Sequence, residues 1–360
     1  MSLADSTVAR SVDPTVWKGR SIFVTGHSGF KGGWLSSVLA GMGARVTGYS
    51  LTPPTKPSFH DVTGLQSRIT EHVADVRDLD TLVQALADSK AEVVFHLAAQ
   101  AIVRRAFTDP LTTFSSNVMG TVNMLEAVRR VPSVKAVVCV TSDKVYNNVE
   151  WVWSYRENDK LGGREPYGCS KAACEMAVDA YRASYPRDGL LVATVRAGNI
   201  IGGGDWAEDR LVPDAMRAFT AAQPLVVRNP AAVRPWQHVL EPVAGYMMLA
   251  ERLFAGERDF ETAWNFGPSY HDAKPVSEMV DALIGLWGAG AAWKLAEGAQ
   301  PYEARLLTVD STQAIAKLKW HPRWNLAMAL KRSVEWYKAH AAGADMVRVT
   351  ENQIQDFLHG

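Results

Sequence analysis

An α/β fold on a doubly wound parallel sheet is the architecture this sequence predicts, and three observations carry that prediction. A strand-like run, Ile22-Phe23-Val24, enters a turn with Gly26, Gly29 and Gly32 and then an apolar-faced helix from Trp34 towards Gly43. Short apolar runs next alternate with helical stretches as far as about residue 195, the pattern of a parallel sheet covered on both faces. Beyond Gly202 the alternation stops and Gly, Pro and Trp become more frequent, which predicts a smaller, mostly C-terminal α/β lobe that takes the substrate. The main domain thus reads as a Rossmann sheet.

Taken in order, residues 1–18 read as a loose lead-in, 19–200 as the main domain and 201–360 mainly as the second lobe, with about 235–265 returning to the main domain. After the first strand come a second at 44–49, a proline-rich loop at 51–58, a third strand at 69–73, a helix at 79–87 and a fourth strand at 92–97. Phe114, Val118, Val122, Leu125 and Val128 fall near helical spacing and predict a helix over about 110–130. A buried strand at 136–140, a long helix from Tyr167 through Tyr181 and a strand at 191–195 complete the alternation. The second lobe is predicted to hold helices after Pro213 and at 240–255, 276–287, 312–318 and 327–341, with strands near 226–227 and 263–266.

Charge balance bounds the partners. The 38 Lys and Arg against 38 Asp and Glu give no electrostatic case for nucleic acid or an anionic membrane, so a small molecule is the expected partner. No apolar run approaches the ~20 residues that span a bilayer. Cys139, Cys169 and Cys174, an odd number without ligand spacing, fit a reducing cytoplasm. His60, His72, His96, His238 and His271 show no paired ligand spacing, and no metal is predicted.

Spaced glycines let a backbone approach a diphosphate closely, while the helix behind them offers free N–H groups and a positive dipole end. Gly26, Gly29, Phe30, Lys31 and Gly32 are therefore candidates to hold a dinucleotide, against the alternative of a strand-to-helix turn with no ligand. Ligands of such sheets bind at the carboxyl ends of strands. Three polar groups lie there: His96–Gln100, Thr141–Lys144 and Asn199–Trp206. The long helix adds Tyr167 and Lys171, which share a face at i and i+4, so a lysine ammonium can favour phenolate and make the tyrosine a usable base.

These residues resemble the extended short-chain dehydrogenase/reductases. The likeness rests on the three glycines, Asp75-Val76, His96-Leu97-Ala98-Ala99-Gln100, Asn117 with Gly120-Thr121, Ser142, and Tyr167 with Lys171. Within that family Thr141-Ser142-Asp143-Lys144 is similar to the Thr-Asp-Glu site of nucleotide-sugar 4,6-dehydratases, with Lys144 standing where glutamate is usual. The resemblance implies NAD held by the glycine turn, with Asp75 and Val76 near adenine and Leu97, Ala98, Ala99, Gln100, Asn117, Tyr167 and Lys171 along the cofactor. It implies Tyr167, Lys171 and Ser142 at the sugar O4, Asp143 as the acid at O6, and Lys144 as C5 base or enolate stabiliser, against a structural lysine paired with Glu157 or Asp159.

Asn199 matches the family residue at the sugar-nucleotide phosphate. Arg234 and then Arg228 are candidates for the diphosphate, since guanidinium pairs with it in a bidentate way. Trp206 and Trp236 could line the pocket or simply pack. The second strand ends Gly48-Tyr49-Ser50-Leu51, without the acid that usually binds the NAD ribose. A reaction that regenerates its cofactor nevertheless favours NAD over NADP. The implied substrate is CDP-glucose, and the implied assembly is a homodimer through the helices near 110–130 and 167–185, or a higher homo-oligomer. The rival readings are a dehydratase acting on another nucleotide sugar, a C4 epimerase, and a non-catalytic NAD-binding protein.

Overall fold

A computed structural model describes residues 11–298 and 304–360. Seven strands form one parallel sheet: β1 (Ser21–Thr25), β2 (Arg45–Ser50), β3 (Thr70–Val73), β4 (Val93–His96), β5 (Ala136–Val140), β6 (Leu191–Ala197) and β10 (Ala263–Phe266), in the order β10-β6-β5-β4-β1-β2-β3. Between β6 and β10 in the chain lie β7 (Asn199–Ile201), β8 (Leu225–Val227) and β9 (Val233–His238). β7 and β9 join β11 (Ala273–Pro275) in a three-stranded sheet, and β8 pairs with β12 (Trp293–Leu295).

The main-sheet order reverses between β1 and β4, the place where a doubly wound sheet opens a crevice at its carboxyl edge. Thr25 ends β1 opposite His96 at the end of β4, so the glycine turn and the His96–Gln100 segment leave the sheet side by side.

Helices α1 (Pro14–Trp17), α2 (Phe30–Gly41), α3 (Phe59–Val62), α4 (Leu79–Ser89), α5 (Val103–Thr108), α6 (Pro110–Phe114), α7 (Gly120–Arg130) and α8 (Pro166–Ser184) accompany the first six strands. The remainder are α9 (Leu211–Thr220), α10 (Leu240–Phe254), α11 (Val276–Trp287), α12 (Leu326–Ala341) and α13 (Met346–His359). Among the described residues no helix is long and apolar enough to cross a membrane.

Four features depart from the sequence expectation. Residues 1–10 of the lead-in lie outside the described residues, but α1 is ordered: Asp13 caps it, Pro14 opens it, and Trp17 is fully buried with its Nε1 donating to Glu251 at 3.0 Å. The single helix expected over 110–130 is split by a π turn, Ser115–Met119. A second π turn, Ala314–Leu318, takes the place of the helix expected at 312–318. The closing helix α13 was not foreseen, because its apolar contacts Met346, Ile354 and Phe357 are too sparse to stand out from a polar stretch.

Two buried histidines act as neutral structural groups. His96 Nδ1 lies 2.7 Å from Thr25 Oγ1 and its Nε2 lies 3.2 Å from Thr121 Oγ1. Thr121 donates to the Asn117 carbonyl, so His96 carries its proton on Nε2 and accepts from Thr25. His238 is packed against Trp34 and Trp324 and accepts from the Leu240 N–H, which makes it a packing residue. Burial, aided by Lys171 for His96 and by Arg332 for His238, pulls each to about 3.

A folded pKa below the unfolded one places their contribution fully above about pH 6.5 and removes it as pH falls towards 3. Each histidine then costs about 1.4 kcal/mol per pH unit below 6.5. Denaturant unfolding at pH 6.5 and pH 5 checks this: wild type is expected to lose about 2 kcal/mol more than His238→Phe over that interval. Equal losses would contradict the assignment.

Candidate active site

The cradle for a diphosphate is built by sterics. Gly26 has a φ of 77°, and a Cβ there would sit 2.8 Å from the Ala98 nitrogen. A Cβ on Gly32 would overlap the Gly26 carbonyl. The turn therefore closes only with glycine at both positions. Gly29 caps α2 without any side-chain hydrogen bond, which leaves the first-turn N–H groups to an incoming anion. Thr25 Oγ1 accepts from the Leu97 and Ala98 N–H groups at 3.1 and 3.2 Å, holding the 97–99 segment beside the turn. These residues fit a dinucleotide.

Asn117 and Gln100 work at one remove. The π turn carries Asn117 inward, fully buried, where its Oδ1 accepts from Gln100 N at 2.8 Å and its Nδ2 donates to Ser170 Oγ at 2.8 Å. It clamps the post-β4 segment to α8. Gln100 is likewise spent on Ile102 and Thr113. Asp75 binds Arg77 with both oxygens, and that pairing holds its carboxyl below the usual range. Val76 is buried against Gly120.

The reactive group assembles at the ends of β5 and α8. Glu165 caps α8 by accepting from Tyr167 N and Gly168 N, each at 2.7 Å, and Pro166 fills the first position. Tyr167 and, one turn on, Lys171 therefore point under the end of β5. Ser142 opens a 3₁₀ turn, accepting from Lys144 N at 3.2 Å and donating to Asp143 Oδ1 at 3.1 Å. Its hydroxyl also lies near the Tyr167 phenol and lowers the phenol's pKa.

Burial dominates and pushes Tyr167 up to about 12. Ser142 and the charge of Arg210 pull it back down, while Asp143 and Glu165 add to the rise. Lys171, itself lowered by burial, turns its Nζ onto the Val140 carbonyl at 3.1 Å.

Asp143 is buried and its Oδ2 has no hydrogen-bond partner, an acceptor left for something that enters the crevice. A Cβ on Gly198 would lie 3.4 Å from that oxygen, which places Asp143 against the β6–β7 junction. Among the described residues no ion pair joins Lys144 to Glu157 or Asp159. Glu157 Oε1 instead accepts from Asn265 N, and Asp159 Oδ2 from Arg156 N. The carboxylate that feels Lys144 is Glu165.

Two cations in this crevice were not foreseen as side chains of the reactive group. Lys31 is half-buried and is drawn down to about 7 by loss of solvent, then by Lys171 and Arg210, against the pull of Asp143. Arg210, which precedes α9, bonds Asp205 Oδ2 at 2.9 Å and is held above its ordinary range by that carboxylate. Nothing local in the sequence marks Arg210, because only the tertiary fold brings it to Tyr167.

Other sequence candidates take mixed places. Asn199 begins β7 and pairs in register with Trp236 on β9. Arg234, on the same strand, is nearly buried, with its Nη1 2.9 Å from the Val233 carbonyl. Arg228 is ion-paired to Asp209 at 2.7 Å, an oxygen it shares with Arg104. Trp206 packs edge-on against Trp336 and His340 of α12. Trp236 donates to the Lys274 carbonyl at 3.3 Å.

A glycine cradle at the switch point beside a Ser-Tyr-Lys group defines a nicotinamide-dependent enzyme of the short-chain type. Residues 22–267 match the NAD dependent epimerase/dehydratase family, and the chain belongs to that family. It is 47% identical over 353 residues to the CDP-glucose 4,6-dehydratase of Salmonella typhimurium, covering 96% of this chain and 98% of that one. It is 30% identical over 250 residues to a dTDP-glucose 4,6-dehydratase of Streptomyces griseus, covering 69% and 72%. Its fold matches the dTDP-glucose 4,6-dehydratase of Streptomyces venezuelae solved with NAD and TYD bound, at a TM-score of 0.76 and 23% identity, over 91% of this chain and 99% of that one.

Proposed function

We propose that this chain converts CDP-glucose to CDP-4-keto-6-deoxyglucose with NAD as a recycled cofactor. The observation that carries the reading is Asp143, whose buried carboxylate oxygen has no hydrogen-bond partner and lies beside Ser142 and Tyr167. A C4 epimerase needs a base at O4 but no acid at O6, so it has no use for that group. The relative at 47% identity supports the cytidine nucleotide.

Bound NAD supplies the hydride acceptor at C4 and the donor at C6. Tyr167, tuned by Ser142 and Arg210 with Lys171 beneath, takes the O4 proton. Asp143 gives a proton to the departing O6 hydroxyl. Lys144 takes the C5 proton or, as an ammonium, stabilises the enolate. Arg234 and Arg210 face the diphosphate in this reading, with Asn199 at the phosphate and Trp236 nearby. Arg228 is a second guanidinium, displaced only if Asp209 lets it go. Residues 19–200 form the cofactor domain and 201–360 mainly the sugar-nucleotide lobe.

Free Cys139, Cys169 and Cys174 support a cytoplasmic setting, and exposed Leu111, Met119 and Met176 along α6–α8 support a homodimer. The test of the substrate is incubation with NAD and, separately, CDP-glucose, dTDP-glucose, UDP-glucose and GDP-mannose, with the sugars read by NMR. A 4-keto-6-deoxy product is expected from CDP-glucose. Product from another nucleotide alone would overturn the substrate and keep the chemistry.

A further inference from the structure

Three side chains from separate elements converge on the β3 side of the glycine turn. His27 comes from the turn itself, His60 from α3 and Glu71 from β3, and their ligand atoms all lie within 4.8 Å of one another. His27 Nε2 is 3.0 Å and His60 Nε2 is 2.5 Å from the same Glu71 oxygen. The opposite ring nitrogens are also engaged: His27 Nδ1 lies 3.2 Å from Ser50 Oγ, and His60 Nδ1 lies 3.2 Å from Asp61 Oδ1.

Counting protons makes this arrangement informative. Carboxylates only accept, and a neutral imidazole has one N–H. His60 faces a carboxylate with each nitrogen, so in its neutral form one lone pair is aimed at an anion. His27 meets a similar constraint. In the tautomer that donates its Nδ1 proton to Ser50 Oγ, the His27 Nε2 lone pair also points at Glu71. Two imidazole lone pairs and a carboxylate aimed at one point make a cation site. The Nδ1 contacts to Ser50 and Asp61 are the outer hydrogen bonds that fix the ligating tautomers.

We propose that His27 Nε2, His60 Nε2 and a Glu71 carboxylate oxygen bind one divalent transition-metal ion, with Zn²⁺ the cation that matches this donor set. Both histidines are buried, while Glu71 keeps 19% of its side chain exposed, the route for the ion and for a water that completes its shell. The ion ties the turn after β1 to α3 and β3. Its role is structural, since none of Ser142, Asp143, Lys144, Tyr167 or Lys171 takes part. In sequence the ligands are spread over residues 27–71 in no recognisable spacing, which explains the earlier expectation of no metal.

The experiment uses untagged full-length protein stripped with a chelator, titrated with Zn²⁺ by calorimetry, with bound metal counted by mass spectrometry. One ion per chain is expected for wild type, with a rise in melting temperature, and that uptake is lost in His60→Ala. Asp61→Asn, at a position 51% exposed where folding is safe, is expected to weaken binding about 10–100-fold. Every variant keeps the exposed Cys169, so adventitious thiol binding cancels in the comparison. Equal uptake by wild type and both variants overturns the proposal. So does no uptake by wild type.

Discussion

Tyr167→Phe lowers kcat by about 10²–10⁴-fold while the KM for the sugar nucleotide stays within a few-fold. In the proposed reaction the phenol takes the O4 proton, and its oxygen, not its ring, is what the substitution removes. Because burial lifts the phenol to about 12 and the nearby Ser142 hydroxyl pulls it back, Ser142→Ala is expected to raise it further. Activity that needs phenolate rises with pH through that pKa, so the rising limb of kcat/KM shifts to higher pH in Ser142→Ala. A profile that stays in place, or moves to lower pH, would remove Ser142 from this role.

Glu175→Ala destabilises the protein by about 3–5 kcal/mol. Glu175 is buried on α8 and accepts from Arg196 Nε at 3.0 Å, Arg196 Nη2 at 2.8 Å, Thr194 Oγ1 at 2.7 Å and Thr141 Oγ1. Arg196 is itself buried and also reaches Tyr146 and the Glu157 carbonyl, each at 2.9 Å. Removing the carboxylate leaves a guanidinium without its counter-charge in the interior, and that cost exceeds the lost hydrogen bonds.

The pair also joins α8 to β6 and to Thr141, the residue just before Ser142, so the reactive turn should loosen with it. Denaturant titration measures the loss. A change below about 1 kcal/mol would mean that water or another anion replaces the carboxylate.

Much of this was legible in the chain. The strands β1 to β6 could be read because each is a short apolar run bounded by glycine or polar residues, and Ser142, Tyr167 and Lys171 because their chemistry lies at strand ends or within one helical turn. What could not be read depends on distant partners. Arg210 reaches Tyr167 only through the fold, Glu175 and Arg196 meet across a helix and a strand, and His27, His60 and Glu71 converge from three elements. The inward placement of Asn117 could not be read for a local reason: the π turn that carries it has no composition signal.

The account stands most directly on where the hydrogen from C4 goes. CDP-glucose deuterated at C4, incubated with the protein and NAD in ordinary water and followed by NMR, is expected to give a 4-keto-6-deoxy product with deuterium at C6 and solvent hydrogen at C5. Deuterium returned to C4, in a sugar that keeps its C6 hydroxyl, would contradict the dehydration and leave an epimerase in its place.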